Sequence, residues 1–309
     1  MREQRASSTA VGLVLGFALD RVLADPRRLH PVAGFGSAAM VLERSTYADD
    51  RWAGVLHEAV AVGSVLGIGA LAARGGVLAT ALATWTALGG RSLARAGHDM
   101  ADRLDAGDLT GARELLPSLC GRDPSVLDAD GLARAALESI AENTSDATVA
   151  PLLWGAVAGV PGLLGYRAVN TLDAMIGYRN ERYERFGWAA ARVDDAANLV
   201  PARVTGVLTA VLAPLVGGRP GAALRAWRRD AAKHPSPNAG VVEASMAGAL
   251  GIRLGGRTQY RHGAELRPTL GDGPAPTTAD LRRAVRMSTA VQAGALAVAV
   301  VVAEVLRRR

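Results

Sequence analysis

Acids, carboxamides and guanidiniums concentrate in residues 138–203, on both sides of an apolar run that ends near Gly165. Glu138, Glu142 and Asp146 recur at i, i+4 and i+8, so a continuous helix would carry them on one face with Asn143 beside them. Carboxylates that close repel one another unless something positive lies between them. A divalent cation or a cationic substrate group is the simplest reason for the pattern. The competing reading is a solvated acidic face, or an N-cap at Thr144, Ser145 or Asp146 before the apolar helix. The theme returns in Asn170 and Asp173, spaced i, i+3, and in Asp194, Asp195 and Asn198, just ahead of Pro201 and Arg203. Threaded among these are Arg167, Arg179, Arg182, Arg185 and Arg192, and a guanidinium grips phosphate or carboxylate in two-pronged fashion. Carboxylate with carboxamide for a metal, and arginine for phosphate, is a recipe for phosphoryl chemistry. A mesh of helical ion pairs is the alternative, and Glu181 with Arg185 fits it.

A second polar centre is HPSPNAG, in which His234, Pro235, Ser236, Pro237 and Asn238 resist regular structure before a helix begun near Val241. Lys233, the sole lysine, and His234 would stand at the start of that helix, where free N–H groups favour an anion, or they simply make an entry turn. His30 follows a proline-punctuated loop and reads either as a general base or as a loop histidine held by local hydrogen bonds.

The elements that must position these groups are apolar. Half of the 309 residues are hydrophobic, 4% are aromatic, and the net charge is +6, almost all of it from arginine. This composition predicts an all-α, multi-pass integral membrane protein with polar connecting loops and short aqueous helices, in one domain over 1–309. No helix-turn-helix, finger or RNP-like pattern accompanies the basic charge, so membrane lipid and phosphorylated small molecules are expected partners and nucleic acid is not. The N-terminal apolar stretch reads as a first membrane helix or short anchor rather than a cleaved signal. Runs at 55–73 and 77–93 are near the length of a bilayer crossing and join at a tight turn, with His57 and Glu58 near the entry. Residues 94–134 read as short amphipathic aqueous helices, on which Asp102, Asp105 and Asp108 are solvated. The runs at 148–165 and 204–216 are short or broken by proline and glycine, and at least one is expected not to cross, so that the polar motifs face one side. Residues 267–278 read as a flexible loop. Residues 288–306 form a last apolar helix whose Arg307–Arg309 tail argues for a cytoplasmic end. Cys120 stands alone, which excludes a disulfide framework and a CxxC metal site. The common phosphate-loop, nucleophile-elbow, dinucleotide and zinc-protease motifs are missing from the sequence.

The runs ESIAENTSDATVAPLLW, YRAVNTLDAMIGYRNERYERFGWAAARVDDAANLVPAR and RDAAKHPSPNAGVVEASMAGALGIRLGG resemble the CobD/CbiB synthases, the cobalamin-biosynthesis family that makes adenosylcobinamide phosphate. LDRVLADPRRLHPVAGFG near the start and GRD at 121–123 fit the same family in the same order, so the resemblance spans nearly the whole chain. Pro124 follows GRD where the family usually has Thr, and Ala147 follows Asp146 where Gly is usual. The resemblance implies a ligase that joins adenosylcobyric acid to (R)-1-amino-2-propanol or its O-phosphate through an amide bond. ATP and Mg²⁺ are the implied cofactors, and an acyl-phosphate at the corrin propionate is the implied intermediate. Such chemistry needs positive groups to hold developing charge and a base to keep the amine neutral.

Combined with the residues above, the resemblance makes Glu142, Asp146, Asp173, Asp194 and Asp195 metal candidates and Glu138 the candidate base. Asn143, Asn170, Asn180 and Asn198 would be orienting groups. His30, Arg167, Arg179, Arg182, Arg203, Lys233, His234 and Asn238 would be contacts to phosphate or corrin carboxylates. The expected location is the cell membrane with the site facing the cytoplasm, and self-association or a complex with other cobalamin-assembly membrane enzymes stays open. Two alternatives stand beside this reading: a membrane-embedded Mg-dependent alcohol or prenyl phosphotransferase, and a non-enzymatic AmpE-like signalling protein.

Overall fold

Alanine, leucine and valine crowd the apolar runs at helical spacing, and the chain answers almost entirely with helix. The computed structural model describes residues 2–25, 30–178, 180–260 and 263–308. In chain order the helices begin with α1 (Arg2–Leu23), α2 (Pro31–Thr46), α3 (Arg51–Ala72), α4 (Gly76–Ala87), α5 (Gly90–Asp105) and α6 (Leu109–Leu115). They continue with α7 (Ala129–Thr144), α8 (Ala150–Ile176), α9 (Trp188–Leu212), α10 (Pro220–Asp230) and α11 (Ala239–Leu250). An antiparallel hairpin of β1 (Leu254–Tyr260) and β2 (Gly263–Leu270) follows, and α12 (Thr278–Arg307) ends the described chain. Among the described residues four helical segments are long and apolar enough to cross a membrane: Arg51–Asp105, Ala129–Ile176, Trp188–Val216 and Thr278–Arg307. The expected all-α membrane architecture is therefore present, with the hairpin as an addition to it.

The chain divides into two compact units. The first comprises Met1–Gly89, Asp146–Asn198 and Ala295–Arg309. In it α3 and α4 both pack on α8, and α1 packs on α4. Gly12 and Gly16 make the last contact possible, since a Cβ at either would fall on Thr80 or Thr84 of α4. Small residues one turn apart let helix backbones approach in this way within a membrane. Phe186 is fully buried against Ala39, Ala61, Leu172, Ile176 and Ala190, and His57 stacks on its ring while its Nδ1 meets the Thr46 hydroxyl at 2.8 Å. His57 is thus a core histidine.

The second unit comprises Gly90–Ser145 and Leu199–Gly294. Here α7 packs on α5 and α11, α10 packs on α11, and the hairpin lies against α10 and α11. Small residues again set the approach, with Gly97 against Ile140 and Val285, and Gly248 against the α10 backbone at Ala222 and Ala223.

Several expectations are corrected. Residues 267–270, read as loop, are the end of β2, because pairing with β1 satisfies backbone groups that Pro268 and the flanking glycines make hard to place from sequence. The run at 77–93 is broken: α4 stops at Ala87, Leu88 is extended, and α5 starts at Gly90. The helix through Glu138 and Glu142 does not continue regularly to Asp146, since a π-turn over Ser145–Val149 inserts there and shifts the register. Residues 148–165 and 204–216 belong to longer helices. α8 is kinked at Gly159, whose φ of 62° only glycine adopts easily, two residues before Pro161.

Candidate functional site

In the second unit, the spacing of Arg134, Glu138 and Glu142 along α7 puts all three on one face. Glu138 is 2% exposed, and both its oxygens are committed. One takes the guanidinium of Arg122, itself buried in the loop after α6, and the other accepts the Gly255 N–H at 2.7 Å. Gly255 can do this because β1 opens with a bulge, at which Gly255 and Gly256 have φ of 80° and 83°. Across the ladder from Gly256 stands Arg267, whose Nη1 lies 4.0 Å from Glu138 and whose Nη2 donates to Glu243 Oε1 at 3.3 Å. Glu243 comes from α11 and is 1% exposed. Its Oε2 is buried with no hydrogen-bond partner among the described residues.

His234 closes the group, with its ring against Arg267 and its Nε2 3.7 Å from Glu243. Arg267 can only donate, so Nε2 of the ring accepts, and the Nδ1 side is held by Ser236, whose N–H and carbonyl lie 3.0 and 3.2 Å from it. Burial and then the Arg267 charge push His234 down to about 4, so the ring is neutral at pH 7. Three carboxylates and two guanidiniums with a neutral histidine leave one negative charge over among these residues. Burial, then the charges of Glu142 and Glu138, raise the Glu243 carboxyl well above the usual range against Arg267 and Arg122.

The first unit holds a separate polar network on α8 and α9. Asn198 accepts the Tyr166 hydroxyl at 2.9 Å and donates to Asp194 Oδ2 at 3.0 Å. Asn170 donates to Asp194 Oδ1 and accepts Arg167 Nη1, each at 3.3 Å. Asp173 and Asp194 act electrostatically on Glu58 of α3, whose two oxygens are buried and lack a hydrogen-bond partner among the described residues. Asp195 adjoins Asp194, and Asp146 acts electrostatically on Tyr166. An apolar cavity of about 450 Å³ lies between α2, α3 and α8 with Arg167 on its wall.

Among the sequence-derived candidates, the fold thus brings together Glu138, Glu142 and His234 in one cluster, and Arg167, Asn170, Asp194 and Asn198 in another. Arg203 donates to Asn238 at 2.7 Å, a third pairing. Asn143 turns its amide back to the Ser139 carbonyl at 3.0 Å. The rest have local partners. His30 caps α2 by accepting the Val32 N–H at 3.1 Å, and Asn180 caps the turn at Tyr183. Arg182 binds Glu43 at 2.7 Å and stacks on Tyr47. Lys233 binds Asp230 at 2.8 Å. Burial pushes Asp230 up, but Arg229, Lys233 and the Gly271 N–H outweigh it and hold its carboxyl well below the usual range. Arg179 and Pro26 lie outside the described residues. Arg122, Arg267, Glu243, Glu58 and Tyr166 were not singled out as site residues from sequence. A lone acid inside the apolar GVVEASMAGAL is the signal that marks Glu243.

No group of three or more His, Cys, Asp or Glu side chains among the described residues is arranged to hold a metal by itself. Mg²⁺ does not require such a cage, since it is commonly held by one or two carboxylates with waters and substrate phosphates. The orphaned Glu243 oxygen beside Glu142 fits that mode.

Comparison with known proteins gives a consistent result. The family described as CobD/Cbib protein matches residues 13–288. A Mycobacterium tuberculosis (strain H37Rv) protein named Cobalamin biosynthesis protein CobD is 61% identical over 97% of each chain. Proteins of the same name are 53% identical in Rhodobacter capsulatus, over 63% of this chain and 61% of that one, and 44% identical in Geobacter metallireducens, over 84% and 86%. No solved structure matches the chain.

Proposed function

The chain belongs to the CobD/Cbib family and serves cobalamin biosynthesis with a small-molecule corrinoid substrate, and from that premise we propose that it forms an amide between a corrin propionate and (R)-1-amino-2-propanol or its O-phosphate at the expense of ATP. The observation that supports this most is the half-buried Glu142 beside the buried Glu243, with the charges of Arg122 and Arg267 acting on both.

A carboxylate does not react with an amine unaided. In the proposed route the propionate oxygen attacks the γ-phosphorus, ADP leaves, and the amine nitrogen then attacks the acyl carbon and expels inorganic phosphate. Arg267 stands where it can hold phosphoryl or carboxylate charge, and in a buried setting a fixed guanidinium stabilises developing charge without reorganising. Arg122 and the Gly255 N–H hold Glu138 fixed, so Glu138 orients the group, and Glu142 and Glu243 are the carboxylates with free capacity. One of them accepts the proton that the ammonium must lose before attack. Glu142 and Glu243 would hold Mg²⁺, which would supply neutralisation of phosphate charge.

The test is ADP release by the detergent-purified protein supplied with MgATP, adenosylcobyric acid and the amine. Release is expected only with all three present and in step with amide formed. ADP release independent of the corrin, or amide without ADP, would reject the reading.

A further inference from the structure

The apolar cavity of about 450 Å³ in the first unit lies where three helices face one another without closing. α8 turns towards it the i, i+3, i+4, i+7 face from Leu164 to Thr171, and α3 the matching face from Ala61 to Ile68. Ala38 and Ala39 of α2, with Ala61 and Ala168, are too short to fill the space between these faces. Packed interiors hold few voids larger than a water molecule, so a space of this size is built for an occupant. The lining says which kind. Ser64, Thr86 and Thr171 each spend their hydroxyl proton on a carbonyl of their own helix, at 2.7, 3.2 and 2.6 Å. Arg167 is the polar side chain of the wall with capacity to spare: its Nε is buried without a hydrogen-bond partner among the described residues, and its Nη1 reaches the Asn170 carboxamide at a long 3.3 Å. Asn170 stands between it and Asp194, and among the described residues Arg167 makes no ion pair. α8 falls in a segment long and apolar enough to cross a membrane, where a guanidinium is costly unless an anion meets it. The rim is apolar as well, with Ile68 exposed on α3 and Met40 and Val41 exposed on α2 between the lining residues Ala39 and Leu42. In a bilayer such a rim meets acyl chains.

We propose that this cavity is a lipid site, which takes an acyl chain of an anionic phospholipid from the surrounding bilayer and pairs the lipid phosphate with Arg167. A guanidinium suits that role because its fork binds phosphate in two-pronged fashion. Apolar walls around a single cation select an anion carried on hydrocarbon over a free one. No residue of the group around Glu243 lines the cavity, so the site stands apart from the amide chemistry.

The test is equilibrium lipid binding to the full chain, stripped of lipid in an uncharged detergent and supplied with phosphatidylglycerol or phosphatidylcholine of the same acyl chains, with bound lipid counted by native mass spectrometry. Phosphatidylglycerol should bind at least tenfold more tightly than phosphatidylcholine. Arg167→Gln should erase that preference by weakening phosphatidylglycerol alone. Ser64→Phe, which fills the cavity from an exposed position, should weaken both lipids at least tenfold, and it decides the matter even where Arg167→Gln disturbs folding. Equal binding of the two lipids to the wild type, a preference kept in a folded Arg167→Gln variant, or unchanged binding in a folded Ser64→Phe variant overturns the proposal. A dimer that forms without lipid and that Ser64→Phe dissolves also overturns it, in favour of a second copy of the chain as the occupant.

Discussion

At the scale of single residues, Glu243 decides most. It is buried, holds an unsatisfied oxygen and sits in an apolar helix, an arrangement that costs stability unless it serves a purpose. Glu243→Gln should leave the protein folded, since it puts a neutral isostere in place of a buried carboxyl, and should lower kcat by about 10²–10⁴, the usual contribution of a positioned acid or base. Steady-state kinetics beside an unchanged melting profile would check this. His234 makes a second prediction. Its folded value near 4 lies below the unfolded 6.5, so between these the unfolded chain binds more protons. The stability from keeping the ring neutral is complete above about pH 6.5 and is lost as pH falls towards 4. Melting temperature followed over that window should fall less steeply in His234→Gln. Residue types were readable from sequence where spacing was local: Glu138 with Glu142 on α7, and Asp194 with Asn198 on α9, lie in the same polar groups. Arg122 and Arg267 were not, because they reach Glu138 only through a loop and a hairpin distant in sequence.

At the scale of elements, the hairpin is the part that sequence concealed. Glycines and a proline within LGGRTQY and GAELRPTL argue against strand one residue at a time, whereas the bulge they create is what aims the Gly255 N–H at Glu138. Gly255→Ala should be damaging on two counts: the positive φ strains any side chain by about 1–3 kcal/mol, and the new Cβ would overlap the Pro268 carbonyl. A drop of several degrees in apparent melting temperature, with loss of turnover, is the expected result. The helices themselves were legible because apolar periodicity is a local signal. The π-turn after Thr144 was not, since nothing in SDATV distinguishes it from an ordinary helical turn.

At the scale of the whole molecule, the four segments among the described residues that are long and apolar enough to span fit a chain embedded in a bilayer. Because ATP is cytoplasmic, the proposed reaction predicts that the second unit's exposed loops face the cytoplasm. Asp272, at an exposed turn where its pair with Arg229 is worth little, is a suitable reporter. Asp272→Cys in a Cys120→Ser background should react with an impermeant thiol reagent in inverted vesicles and not in intact cells. The native background is already quiet, since burial raises the Cys120 thiol and keeps it protonated. The central claim, that the corrin carboxylate is activated by phosphoryl transfer before the amine attacks, has a direct test in adenosylcobyric acid labelled with ¹⁸O in both oxygens of the reacting carboxylate. The account predicts one labelled oxygen in the released inorganic phosphate and the other in the amide; phosphate free of label would contradict it.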